Sequence, residues 1–130
     1  MSRTVAADAK VLFLIRTAMA VGVVTFMLVA WILRSRGGQE PVPADKLATL
    51  TTVMYAAVGL AGAAVLLVRL RLSAATPAAR RSLSIAGWAV GEFAALFGGV
   101  LFLLDGRWPL VLPGALVFAL SLAAIPLPRE

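Results

Sequence analysis

The chain has no cysteine and no histidine, and only six of its 130 residues are acidic. Without cysteine there is no disulfide, no thiolate metal site and no thiol nucleophile. Without histidine, the usual general base and the commonest metal ligand are missing. Isolated carboxylates make a poor catalytic set. Conventional hydrolytic and metal-dependent chemistry is therefore nearly excluded on inventory, and the expectation is a protein that is not an enzyme and holds no cofactor or metal. Charge is scarce as well, at 14% of residues, against about a quarter in soluble domains.

What fills the chain instead is apolar. Hydrophobic residues make up 62% of it and the mean hydropathy is +0.98, which is the composition of a polytopic membrane protein. The net charge of +6 raises the question of nucleic acid. The basic residues, however, stand at the ends of apolar runs and form no separate face, so they read as topology signals and no nucleic-acid partner is expected.

Four apolar segments follow one another, and the expected architecture is all-α: four transmembrane helices in an up-down-up-down bundle forming a single domain. The first covers about 10–33. It is longer than the apolar core of a signal peptide and ends in Trp31 and Arg34 with no small-residue cleavage site, so it is expected to stay as an uncleaved targeting signal. Residues 34–46 carry two glycines and two prolines and read as a loop, with Asp45 placed to cap the second helix, about 47–68. A loop over 72–82 leads to the third, about 83–104. Asp105-Gly106-Arg107 reads as a tight turn, Trp108 as an interfacial aromatic, and the fourth helix as about 110–124, with Pro113 in its first turn and a stop at Pro126 and Pro128.

Counting basic residues sets the orientation. With both termini inside, the inner side holds Arg3, Lys10, Arg16, Arg69, Arg71, Arg80, Arg81 and Arg129, and the outer side only Arg34, Arg36, Lys46 and Arg107. Both termini are thus expected to be cytoplasmic. Arg69, Arg71, Arg80 and Arg81 cluster around one loop, where they serve topology and are also placed to meet anionic lipid headgroups.

Two stripes of small residues suit close helix packing. On the second helix, Thr52, Ala56, Gly59 and Ala63 fall at spacings of four, three and four. On the third, Gly87, Gly91, Ala95 and Gly99 recur every four residues.

Beside that second stripe, about 100° around the helix from Gly91, stands Glu92, the one carboxylate inside an apolar run. A carboxyl at such depth is tolerated when it faces a protein interior or a water path, or carries its proton, and exchange of that proton with water is relay chemistry. Arg16, about one and a half turns into the first helix, either snorkels to the headgroups or turns inward to pair with Glu92.

The sequence around Glu92 resembles a known element. Ala89 lies three residues before the carboxylate, Phe97 five after and Gly98 six after, and in this the segment is similar to the carboxylate-bearing second helix of the c-subunit of rotary ATP synthases. The whole chain resembles small bacterial four-helix integral membrane proteins that carry such a third helix. The resemblance implies a multi-pass protein of the bacterial cytoplasmic (inner) membrane and an ion-binding role for Glu92. Two functional readings stand side by side. One is a structural or accessory subunit that packs against other membrane subunits, or against itself as a homo-oligomer, within the lipid bilayer. The other is a proton- or cation-binding membrane protein that uses Glu92.

Overall fold

A computed structural model describes residues 2–37, 40 and 42–127, with side chains from residue 6 onward. Among these residues the fold is wholly helical: α1 (Ser2–Ser35), α2 (Ala44–Leu72), α3 (Pro77–Asp105), a 3₁₀ turn (Trp108–Val111) and α4 (Leu112–Ala124). The Arg3 side chain, Pro128 and Arg129 lie outside the described residues.

α1, α2 and α3 outrun their apolar stretches, because local backbone chemistry sets the ends rather than hydropathy, while α4 starts at Leu112, two residues later than expected, behind the 3₁₀ turn. α3 begins at Pro77, six residues before its apolar run. Thr76 is its N-cap, accepting a hydrogen bond from the Ala79 amide at 3.3 Å, and Pro77 occupies the first helical position, where a missing N–H costs nothing. Arg80 and Arg81, expected in a loop, therefore stand in the first turns of α3, and the connection from α2 shrinks to 73–76. Asp45 is not the cap expected of it. Pro43 precedes α2 and Asp45 lies in its first turn. Gly106 closes α3 with φ +83°, a left-handed conformation that glycine adopts without strain, and its amide donates to Phe102 O at 2.7 Å.

α1, α2 and α3 are each long and apolar enough to cross a membrane. α4 is shorter, but with the 3₁₀ turn ahead of it the segment reaches about 27 Å, close to the roughly 30 Å of a bilayer's hydrocarbon. Successive helices alternate in direction. The last turn of α1 meets the last turn of α3 through Arg34 and Asp105, whereas the end of α4 meets the first half of α3 through Ile125 and Trp88.

α3 is the central element. Half of its most apolar window is buried, against 11% for α1, and it packs on α1, α2, α4 and the 3₁₀ turn, while α2 also packs on α4. One core cluster gathers Met54, Val58, Ala61 and Val65 of α2 around Trp88 and Ile125. A smaller one joins Val23 of α1 to Ala95 and Phe118. The contact of α3 with α4 is close enough to require glycine. A Cβ on Gly91 would overlap the Ser121 side chain and come within 3.3 Å of the Phe118 Cα, and one on Gly114 would overlap the Ala94 carbonyl.

Candidate functional site

Glu92 projects from α3 toward α1. Its carboxyl oxygen lies 3.7 Å from the position a Cβ on Gly22 would take. The residue is half-buried, and among the described residues no hydrogen bond or ion pair reaches its carboxyl. Gly22, a lone glycine on an otherwise bulky face of α1, leaves the room beside it. Sequence reasoning did not single out Gly22; the only available signal is that this glycine sits within a run of Val and Ala.

Arg16 does not pair with Glu92. Its guanidinium donates to Leu122 O in the last turn of α4 at 2.7 Å and lies 5.7 Å from the centroid of the Trp88 ring, a cation–π distance. Trp88 is fully buried and donates from Nε1 to Ile125 O at 3.0 Å. The physical reason is the end of α4. Its last carbonyls have no intrahelical partner; that of Leu122 is part-buried and that of Ile125, just beyond the helix, is buried, where an unsatisfied carbonyl is costly. A positive charge at a helix C-terminus is favoured in addition. Arg16 and Trp88 satisfy that demand, so the arginine is committed to α4.

A matching arrangement stands at the opposite end of α1. Arg34 donates to Asp105 O at 2.9 Å and to Leu104 O at 3.3 Å, covering the C-terminus of α3. The adjacent Asp105 carboxylate pairs with Arg107 Nε at 2.9 Å.

The residues carrying the c-subunit resemblance point in different directions. Ala89 is exposed, in an apolar groove between α2 and α3 that Phe93 also lines. Phe97 stacks on Phe93 with ring centroids 6.0 Å apart. Gly98 is buried against the backbone of Leu110 and Val111.

The two small-residue stripes differ in what they meet. Gly87, Gly91, Ala95 and Gly99 are all buried. Gly87 faces Ile125 and Gly91 faces Ser121 on α4, while Gly99 faces Phe26 and Met27 on α1. Thr52, Ala56, Gly59 and Ala63 are all exposed, and no atom lies within 4 Å of where a Gly59 Cβ would stand. Among the described residues nothing covers this stripe. α2 turns its opposite face inward.

Of the four arginines expected near headgroups, Arg81 pairs with Asp8 at 3.0 Å, Arg71 is exposed in the last turn of α2, and Arg69 and Arg80 line one cavity.

No protein-family model matches the sequence, and no curated protein or solved structure is significantly similar to it.

Proposed function

We propose that this chain is a small four-span membrane protein, with both ends on the cytoplasmic side of a bacterial inner membrane, that works as a structural or accessory subunit of a larger membrane assembly. The observation that carries this reading is the outer face of α2. Thr52, Ala56, Gly59 and Ala63 offer a strip of minimal side chain along an exposed helix, with open space at Gly59. A bulky lipid-facing surface needs no such strip, whereas a second helix approaching closely does. The occupant is a helix of another membrane subunit or of a second copy of this chain.

Extraction into lipid nanodiscs without detergent, followed by single-particle mass measurement, tests the reading. The 13.6 kDa chain is expected in a particle holding other subunits or several copies, and Gly59→Leu is expected to release it as a monomer. A wild-type monomer in its native lipid overturns the reading.

A second reading rests on Glu92. Its carboxyl faces Gly22 with no partner among the described residues, and Arg16 is engaged elsewhere. A half-buried, uncommitted carboxyl in a spanning helix supports a proton- or cation-binding role like that of the c-subunit helix.

A further inference from the structure

The end of the bundle where α2 passes into α3 holds a cavity of about 590 Å³. Arg69 and Ser73 come to it from the end of α2, Arg80 and Ser84 from the start of α3, and Leu127 from the segment after α4. Among the described residues no carboxylate lines it, and neither the Arg69 nor the Arg80 guanidinium has a hydrogen bond or ion pair. The acid that α1 brings to this end, Asp8, is taken by Arg81.

From this arrangement we infer that the cavity is a binding site for the phosphate of an anionic phospholipid. Two arginines lining one space suit a phosphate, whose oxygens accept the paired N–H groups of arginine. Ser84 supplies a hydroxyl on the same wall, while the Ser73 hydroxyl donates to Leu70 O at 3.2 Å. The choice of a lipid over a free anion rests on the remaining walls. Leu72 and Leu127 are apolar, and Leu70 is apolar and exposed, a surface along which an acyl chain would lie. A soluble phosphate gains nothing from these surfaces. The basic residues at this end thereby become a shaped site as well as a topology signal. The inference rests on the membrane reading of the chain but not on docking through α2.

The test is native mass spectrometry of the full chain in neutral detergent with phosphatidylglycerol, phosphatidylcholine or inorganic phosphate. Wild type is expected to retain phosphatidylglycerol and not phosphatidylcholine. The pair Arg69→Gln with Arg80→Gln is expected to lower that retention about tenfold, while Arg71→Gln with Arg81→Gln, equal in charge change, leaves it within about twofold. Should the first pair fail to fold, Arg69→Lys with Arg80→Lys carries the test, with retention several-fold lower because the planar fork is lost. Equal loss in both Gln pairs overturns the site, since only net charge then matters. Retention of phosphatidylcholine, or displacement of the lipid by millimolar inorganic phosphate, overturns the lipid as occupant. Membrane integration is read separately by vesicle flotation: failure of wild type to float sinks the membrane reading itself.

Discussion

Arg16 and Arg34 stand on one face of α1, eighteen residues apart, and each holds backbone carbonyls at the C-terminus of a different neighbouring helix. Eighteen residues make five turns and about 27 Å, which is also the reach of the 3₁₀ turn and α4 together. α1 thus clamps the α3–α4 hairpin at both ends. Arg34 holds the hairpin where α3 ends, and Arg16 holds it where α4 ends. The separation is close to the thickness of a bilayer's hydrocarbon, and the carbonyls served at the two ends are part-buried.

Loss of the lower clamp has a defined consequence. Arg16→Met keeps most of the stem and removes the donor to Leu122 O. It is expected to destabilise the fold by about 2 kcal/mol, the scale of a hydrogen bond from a charged group, as read by denaturant titration in mixed micelles. A change below about 0.5 kcal/mol would mean that the carbonyl is satisfied without the arginine.

Trp88→Phe removes the indole N–H from Ile125 O and leaves the ring volume largely filled. The expected cost is about 1–2 kcal/mol in the same titration. In the double variant with Arg16→Met the costs are expected to be non-additive, because both side chains serve the last turn of one helix and touch each other.

Glycine substitutions separate the two stripes. Gly91→Val meets Ser121 and the Phe118 backbone and is expected to cost about 3 kcal/mol or to prevent folding. Gly59→Val meets nothing within the chain and is expected to change the stability of the isolated protein by less than about 0.5 kcal/mol. Thermal unfolding of both variants in detergent checks the contrast.

Glu92→Gln is isosteric, and no hydrogen bond or ion pair among the described residues is lost with the charge, so the fold is expected to be unchanged. A hydrophobic carbodiimide in mildly acidic buffer is expected to modify Glu92 in the wild type and to leave this segment unmodified in the variant, as read by peptide mapping. No modification of the wild type would mean a sealed carboxyl and would remove the ion-binding reading.

Much of this fold was legible from hydropathy, which located all four helices. The ends were not, because they depend on single residues: Thr76 and Pro77 start α3 ahead of its apolar run, and helix-compatible residues carry α1 back to Ser2. The partner of Arg16 was hidden for a different reason. Leu122 and Ile125 take part through backbone carbonyls, which carry no sequence signature, and the rotation of α1 against α3 is not written in either helix alone. The face of α2 was ambiguous in principle. Met54, Val58, Ala61 and Val65 have the same spacing as Thr52, Ala56, Gly59 and Ala63, on opposite sides of one helix. Periodicity cannot choose between them; the fit of Met54 and Val65 against Trp88 and Ile125 does.

The outer face of α2 is where the functional account is most exposed to test. The chain has no native cysteine, so single cysteines introduced at Thr52, Ala56, Gly59 and Ala63 report only their own surroundings. Oxidative cross-linking in native membranes is expected to give adducts peaking at the Gly59 and Ala63 positions, either with a second copy or with another subunit. A cysteine at the exposed Val53 position, about 90° around α2 from the centre of the stripe, is expected to give few. Uniform cross-linking around the helix, or none along the stripe, would contradict the proposal that α2 docks a partner there.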